Sequence, residues 1–186
     1  MLFRYLVGVM LVCVSAAVVA DEVDLTLSDN SALFRYILHS DSNYGHSEID
    51  AGFLYTNSND FLVMLGFQVE GEAGSGSPGL HVGVGVKGFS VNTVDYGLLA
   101  AAIGGELHYT PRSMSRLSFR GQVYHAPGIV TFIDADNFTY GALSIEYEIL
   151  QQATVYLGYR NVEVGRKGFT NAELDDDSHI GLRIEF

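Results

Sequence analysis

The chain ends in the segment SHIGLRIEF, residues 178–186. Its apolar side chains are Ile180, Leu182, Ile184 and Phe186, and they alternate strictly with His179, Gly181, Arg183 and Glu185. Successive side chains of a β-strand point to opposite faces, so this period of two predicts a strand with one apolar and one polar face.

The same alternation recurs along most of the chain beyond residue 22. It is clearest in residues 80–87, 116–123, 143–149 and 154–160, and turn-forming residues separate these runs. No segment after the first twenty residues has an apolar stripe at helical spacing. We therefore predict ten strands, near residues 23–28, 31–40, 46–56, 60–70, 80–89, 95–109, 114–125, 138–149, 153–164 and 178–186.

Toward the C-terminus the connections between the predicted strands alternate between long and short, whereas toward the N-terminus residues 57–60 are short on the long side and residues 71–79 are long on the short side. Residues 110–114 and 150–152 form short turns, whereas residues 126–137 and 165–177 form long loops. An even number of strands with short turns at one end and long loops at the other is typical of outer-membrane barrels. We predict an all-β fold, a closed antiparallel up-and-down transmembrane β-barrel of ten strands. An eight-stranded barrel with residues 21–45 outside the wall is the alternative.

Composition excludes several classes of protein. The chain has 186 residues, of which 48% are hydrophobic, with 21 Gly, 3 Pro and 1 Cys, which excludes a collagen, a disulfide scaffold and a disordered tail. The formal net charge of −12 repels nucleic acid, so we expect no nucleic-acid partner.

The first twenty residues have the layout of a secretory signal peptide. Arg4 lies in a short N-terminal region, residues 6–14 are apolar, and small residues precede a cleavage site after Ala20. We expect residues 1–20 to be removed on export and residues 21–186 to form one barrel domain in the bacterial outer membrane. Since Cys13 lies in the leader, the mature chain would have no cysteine. A membrane anchor is the alternative interpretation of this segment.

Alternation alone does not decide which face of the barrel meets lipid, because soluble lipocalin-like barrels turn their apolar face inward. The terminal pattern of Ile180, Leu182, Ile184 and Phe186 resembles the C-terminal signature that the barrel-assembly machinery recognises in outer-membrane proteins. We therefore expect the apolar faces to contact outer-membrane lipid and lipopolysaccharide, and the protein to be a monomer. Tyr and Phe would form the interfacial girdles: Tyr109, Phe119, Tyr147, Tyr159 and Phe186.

The polar faces would then line the lumen, and parity predicts their register. Across residues 150–152, Glu148 should face Thr154 and Glu146 should face Tyr156. Across residues 110–114, His108 should face Arg116 and Glu106 should face Ser118, with Glu106 diagonal to Arg116 and Arg120. The predicted lumen charge cluster comprises Glu106, His108, Arg116, Arg120, Glu146, Arg160 and Arg183.

The width of the barrel bears on its function. Side chains just fill a barrel of eight strands, and ten strands enclose only slightly more space. Opposite charges should pair in so narrow an interior, because an unpaired buried charge is costly. We expect a mostly closed lumen with at most a thin water path. A charged constriction that selects solutes is the alternative.

Several motifs in the sequence lack the context that their chemistry needs. Residues 83–88, GVGVKG, match the G-x-G-x-x-G pattern, but they lie in a predicted strand without the following helix that binds a dinucleotide, so we expect the glycines to permit curvature. His108, His125 and His179 are the candidate catalytic bases, and we interpret each as a polar wall residue. No metal-binding motif is present, so we expect no cofactor, no metal and no enzymatic activity.

Acidic residues cluster in two of the predicted long loops. They are Asp134 and Asp136 in one loop, and Glu173 with Asp175, Asp176 and Asp177 in the other. Such runs are usually solvated surface. Binding of divalent cations that bridge to lipopolysaccharide phosphates is the alternative.

Several segments of the chain resemble the YfaZ family of bacterial outer-membrane proteins. They are LTLSDNSALFR at 25–35, EAGSGSPGL at 72–80, YHAP at 124–127, VYLGYRNV at 155–162 and HIGLRI at 179–184. The resemblance implies an outer-membrane barrel and carries over no activity and no catalytic residues.

The favoured function is that of an integral outer-membrane barrel of structural or interaction type, with its long loops outside the cell. The first alternative is a narrow channel for small solutes or ions. A barrel enzyme acting on lipid or peptide and a soluble periplasmic barrel are further alternatives.

Overall fold

The computed structural model describes residues 21–42, 45–74, 78–94, 96–166 and 171–186. The expected signal peptide, residues 1–20, lies outside the described residues. The strands are β1 (Asp21–Ser28), β2 (Ser31–Ser42), β3 (Gly45–Thr56), β4 (Phe61–Glu72), β5 (Leu80–Asn92), β6 (Gly97–Tyr109), β7 (Leu117–Ala126), β8 (Thr131–Ile133), β9 (Ala135–Leu150), β10 (Ala153–Arg166) and β11 (Ala172–Glu185). No helix among these residues is long and apolar enough to cross a membrane.

Ten of the strands form a closed antiparallel wall. Each pairs with its neighbour in the chain, except that β7 pairs with β9, and the first strand β1 closes the sheet against β11 through Leu25 opposite Leu182. The predicted ten-stranded barrel is confirmed. The eight-stranded alternative is wrong, because β1 and β2 belong to the wall and are paired along most of their length.

The short strand β8 was not predicted. It pairs with Leu98–Ala100 of β6, where β7 is too short to reach, so it completes the wall at that point. Three residues are too few to show a period of two, and the sequence therefore gave no signal for this strand.

The two ends of the barrel differ. We call the end that holds Asp21, Phe186 and the turn at residues 151–152 the turn end. The opposite end, with the connections that follow β1, β3, β5, β7 and β10, is the loop end.

The outer surface is apolar, as the C-terminal pattern led us to expect. Leu157 is 67% exposed, Ile145 55% and Phe119 40%, whereas Glu146, which lies between outward residues of β9, is buried. Aromatic side chains are exposed near both ends, with Tyr109, Tyr147 and Phe186 at the turn end and Tyr55 and Tyr159 toward the loop end. This arrangement matches a lipid-facing belt between two interfaces.

The interior has two zones. Toward the loop end, apolar side chains close the lumen, and we call this set the apolar plug: Leu33, Leu54, Leu62, Phe89, Val91, Leu98, Phe138, Tyr140, Val162 and Val164. Phe89 is central to it, since its ring centroid lies 4.6 Å from that of Phe138 and 5.6 Å from that of Tyr140. Charged side chains fill the middle and the turn end.

Two inward glycines permit a sharp bend in the wall. Gly85 of β5 faces Gly104 of β6. A Cβ on Gly85 would overlap the carbonyl oxygen of Phe67, and a Cβ on Gly104 would overlap that of Val123. Neighbouring strands approach these two positions too closely for a side chain, so Gly85, one of the three glycines of the literal G-x-G-x-x-G sequence, has a role in curvature, whereas a Cβ on Gly83 or Gly88 would meet only ordinary contacts.

The register prediction was right for one hairpin and wrong for the other. Glu148 faces Thr154 and Glu146 faces Tyr156, as predicted, with a bulge beside the two-residue turn at 151–152. Across β6 and β7, however, His108 faces Arg120 and Glu106 faces Gln122. The predicted pairs of His108 with Arg116 and of Glu106 with Ser118 are therefore wrong.

The physical reason for this error lies in the turn. Residues 110–116 form consecutive tight turns, in which Met114 N donates to Pro111 O at 3.0 Å and Leu117 N donates to Met114 O at 2.9 Å. Strand β7 therefore begins at Leu117 instead of residue 114. The register shift is an even number of residues, so every side chain keeps its predicted face.

The acidic runs do not lie in long loops as expected. Asp175, Asp176 and Asp177 belong to β11, because β10 continues to Arg166 and β11 begins at Ala172. Asp136 belongs to β9, and Asp134 accepts a hydrogen bond from the amide of Gly97 at 3.2 Å. Pairing with the neighbouring strand thus overrides the turn-like composition of these segments.

Candidate functional site in the barrel lumen

Buried charges converge in the lumen from nine of the ten wall strands. We call them the lumen network: the acids Glu22, Asp24, Glu48, Asp50, Glu106, Glu146 and Asp175, and the bases Arg35, Lys87, Arg120, Arg160 and Arg183. Each occupies an inward position of its strand, so the alternation that forms the lipid belt also places these groups together.

Arg183 of β11 joins three strands. Its Nε lies 2.8 Å from Glu22 Oε1, its Nη1 lies 2.8 Å from Glu146 Oε2, and its Nη2 lies 3.5 Å from Asp24 Oδ2. The guanidinium also stacks 5.3 Å from the ring centroid of Tyr156. Charge-assisted bonds of this kind fix both side-chain geometry and strand register.

Arg120 of β7 continues the network across the barrel. Its Nε donates to Glu146 Oε1 at 3.1 Å, and its Nη1 bonds Glu106. Glu146 thus lies between two arginines, and it also accepts from the hydroxyl of Ser144 at 2.9 Å. Strands β6, β7, β9 and β11 are tied together by this chain of ion pairs.

Arg160 of β10 forms a second group nearer the loop end. Its Nε bonds Asp175 of β11, and its Nη2 donates to Ser31 Oγ at 3.0 Å. Beside it the Tyr156 hydroxyl bonds Asp24 and lies 2.6 Å from Thr26 Oγ1. These contacts link the first and last strands of the closed wall.

A third group occupies β2 to β5. Lys87 Nζ lies 2.8 Å from Asp50 Oδ1 and 4.8 Å from the ring centroid of Tyr124. Arg35 lies 3.8 to 3.9 Å from carboxylate oxygens of Asp24, Glu48 and Asp50.

The sequence prediction missed this third group. Its members alternate with apolar residues along their strands, as Glu48 and Asp50 of β3 do with Ile49 and Ala51. The same parity argument that was applied to β6, β7 and β9 to β11 would have found them.

The structure brings together most of the predicted lumen cluster. Glu106, Arg120, Glu146 and Arg183 form one connected set of ion pairs, and Arg160 lies in the same lumen with Asp175 as its partner. Arg116 does not belong to the cluster, because it is exposed in the turn before β7.

The three histidines occupy different surroundings. His108 faces the lumen at the turn end, with its ring centroid 6.3 Å from that of His81. His179 faces the lumen beside Tyr156, with ring centroids 5.9 Å apart. His125 is exposed on the outer face, where its Nδ1 lies 3.0 Å from Thr139 Oγ1. Within the described ranges, no group of three or more His, Cys, Asp or Glu residues could hold a metal ion.

Little free space remains between the groups of the network. A cavity of about 30 Å³ lies among the inward residues of β1, β2, β7 and β9 to β11. That volume holds about two water molecules. Together with the apolar plug, the network therefore fills the described lumen with side chains.

The closed wall, the exposed apolar belt and the charged interior define an integral membrane β-barrel, since closure satisfies the backbone hydrogen bonds within the wall. A family model described as YfaZ precursor matches residues 3–186. The chain belongs to the YfaZ family.

Comparison with solved structures finds other barrels. The chain is similar to the KdgM porin, with 9% identity and a TM-score of 0.48 over 90% of this chain and 99% of that one. It is also similar to the KdgM porin in complex with disordered oligogalacturonate, with 12% identity and a TM-score of 0.47 over 90% of this chain and 99% of that one. Outer-membrane expressed OmpT of Vibrio cholerae has 14% identity and a TM-score of 0.42, over 84% of this chain and 56% of that one. No curated protein matches the chain.

Proposed function

We propose that this protein is a closed outer-membrane barrel of structural or interaction type. The filled lumen carries this proposal. The apolar plug closes the loop end, ion pairs fill the rest, and the cavity among them is only about 30 Å³. In our proposal such an interior supports the wall and solutes do not diffuse through it.

The outer surface supports a location in the membrane. Large apolar side chains are exposed on nine of the ten wall strands and are half-buried on β2, and in water such a surface would promote aggregation. In our proposal residues 1–20 direct export, and the barrel-assembly machinery recognises Ile180, Leu182, Ile184 and Phe186. The monomer then contacts outer-membrane lipid and lipopolysaccharide.

Fractionation and electrical recording test the two parts of this proposal separately. The protein should stay in the outer-membrane fraction after high-salt and alkaline washing, and it should migrate differently on a gel with and without heating. Release by these washes would contradict a membrane barrel. In planar bilayers the purified protein should be electrically silent, and steady current steps would contradict a closed lumen.

A narrow channel for small solutes or ions is the second candidate. The observation that favours it is the charged half of the lumen, because replacing buried ion pairs with apolar packing is often neutral or stabilising. Stability alone therefore does not explain the network. Arg120 bridges Glu106 and Glu146, so movement of this one side chain would break both ion pairs inside the lumen.

Matched variants distinguish the channel from the closed barrel. If the protein conducts, Glu106→Gln and Arg120→Gln should change the size or ion selectivity of the current steps. Arg116→Gln, which removes an exposed arginine only four residues from Arg120, should not. Silence in the wild type and in all three variants would refute the channel.

We also propose that the barrel has no enzymatic activity. The candidate bases His108, His125 and His179 lie apart, two of them on the lumen side and one on the outer face. Purified protein should show no turnover on panels of lipids and peptides. Turnover that is lost in His108→Ala, His125→Ala or His179→Ala would overturn this part of the proposal.

A further inference from the structure

The outer face of the barrel has an apolar groove where the wall bends at Gly85 and Gly104. Four outward, exposed side chains line this groove together with the two glycines: Phe67, Val84, Val86 and Ile103. Its volume is about 650 Å³, and none of its described lining residues is charged or polar. The groove is therefore continuous with the lipid-facing belt.

Backbone packing fixes the shape of the groove. A Cβ on Gly85 would overlap the carbonyl oxygen of Phe67, and a Cβ on Gly104 would overlap that of Val123, so the wall is indented without any ligand. A site that exists before its ligand arrives loses little conformational freedom on binding.

Strand β6 leads from the groove to the turn at residues 110–116. Its outward row continues from Ile103 through Gly105 and Leu107 to Tyr109. Ile103 and Tyr109 are six residues apart, which is about 20 Å of strand. At the usual tilt of barrel strands this spans about 15 Å along the membrane normal, or half of the hydrocarbon core. An acyl chain that starts at the turn would therefore end in the groove.

The turn has the charge that an anionic head group requires. Residues 110–116, TPRSMSR, include Arg112 and Arg116 and no acid, and both arginines are exposed. Neither pairs with a carboxylate in the part of the chain that the structure describes. Glu148, whose amide donates to Arg116 O at 2.9 Å, belongs to the inward row of β9 and so faces away from lipid. Arginine binds phosphate oxygens through charge-assisted hydrogen bonds, often two at once.

We propose that the outer face of β4 to β7 binds one anionic phospholipid, with its phosphate at Arg112 and Arg116 and one acyl chain in the groove. Short turns face the periplasm in outer-membrane barrels, and the periplasmic leaflet of that membrane consists of phospholipids. The site thus takes its lipid from that leaflet. It deepens the lipid contact proposed above and rests on the proposed location in the membrane.

Tryptophan fluorescence tests the site, because the chain has no tryptophan of its own. Leu107→Trp lies between the groove and the turn, whereas Leu157→Trp lies on β10, outside the groove. Each variant is refolded in mixed vesicles of phosphatidylcholine and phosphatidylglycerol, in which one lipid or the other carries brominated acyl chains. The ratio of the two quenching values gives the preference for phosphatidylglycerol at that position.

We expect a preference of at least about fivefold for phosphatidylglycerol at Leu107→Trp and none at Leu157→Trp. Adding Arg112→Gln and Arg116→Gln to Leu107→Trp should abolish the preference. Equal preference at the two positions, or a preference that survives the loss of both arginines, would overturn the proposal. If the protein does not lie in the membrane at all, neither tryptophan will be quenched by either lipid, so the two failures are distinguishable.

Native mass spectrometry of the protein released from detergent tests the groove itself. Wild-type protein should retain one phosphatidylglycerol molecule. Val86→Phe fills the groove and should lower this retention at least about tenfold, because methylene groups of the acyl chain lose their contacts. Val63→Phe makes the same substitution on the outward row of β4, outside the groove, and should retain the lipid. Wild-type protein without bound lipid, or equal retention in the two variants, would contradict the site.

Discussion

Arg183 makes three ion pairs of the lumen network, as many as Arg35 does, and two of them are as short as 2.8 Å. It is buried and contacts Glu22, Asp24 and Glu146, so Arg183→Gln would leave these carboxylates without their shared cation. Breaking a buried pair from one side costs about 3–5 kcal/mol, and we expect a loss of that size in the free energy of unfolding, measured by urea titration in lipid vesicles.

The control for this variant is Arg116→Gln. Arg116 is exposed in the turn before β7, and surface substitutions usually change stability by no more than about 0.5 kcal/mol. Similar losses in the two variants would contradict the placement of Arg183 at the centre of the network and of Arg116 outside it.

Two glycine-to-alanine substitutions test whether the wall bends sharply at Gly104. Gly104→Ala should destabilise the barrel by about 1–3 kcal/mol, because its Cβ would overlap the carbonyl oxygen of Val123 and force the wall to open. At Gly141 a Cβ meets nothing within 4 Å, so Gly141→Ala should be neutral or stabilise by about 0.5 kcal/mol. Thermal unfolding of both variants in the same detergent checks the contrast, and equal destabilisation would argue against a bend at Gly104.

At the residue scale, the sequence predicted which side chains face the lumen better than it predicted their partners. Alternation placed Glu106, Arg120 and Arg183 inward, and all three are there. Their partners depend on the register between strands on either side of a turn. Residues 114–116 were predicted to belong to β7, but they lie in the tight turns at residues 110–116. Asp175 was assigned to a loop, although strand pairing places it beside Arg160.

At the scale of the element, β10 shows how one strand crosses from lipid to solvent. Its outward residues are Val155, Leu157 and Tyr159, followed toward the loop end by Asn161 and Glu163. Leu157→Lys would put a charge in the middle of the belt and should cost about 2–4 kcal/mol in a bilayer, whereas Asn161→Lys, near the rim, should cost about 0–1 kcal/mol.

Refolding of these two variants in phospholipid vesicles, followed by urea titration, measures the depth effect. The two positions share a strand and a face, so strand propensity largely cancels in the comparison. Equal costs would contradict a belt that ends between Tyr159 and Asn161.

Strands as elements could be predicted from the sequence because a single period covers nearly the whole chain. Boundaries were less certain, since composition alone marks Asp175 to Asp177 as a turn, whereas the wall continues them as a paired strand. The hairpin at residues 151–152 was predictable because so short a turn leaves little freedom in register. The short strand β8 could not be predicted from the sequence. It pairs with β6 only because β7 ends before it reaches that part of β6.

At the scale of the whole molecule, we expect the two interior zones to have different roles, with the lumen network joining strands and the apolar plug closing the lumen. The lumen network links strands that are distant in sequence, such as β1 with β11. The apolar plug packs the lumen toward the loop end. A barrel closed in this way should lose its seal when the plug loses volume, even while the ion pairs hold the wall together.

Phe89→Ala tests this division of tasks. Phe89 stacks on Phe138 and Tyr140, and its removal should cost about 3 kcal/mol and leave a cavity across the plug. We expect current steps in planar bilayers from folded Phe89→Ala protein, identified by heat-modifiable migration, against silence from wild type. Phe67→Ala removes an equal ring from the lipid face and should stay silent. If folded Phe89→Ala protein is also silent, the charged half of the lumen must close the barrel by itself. Arg120 and its two carboxylate partners would then be the groups that block the lumen.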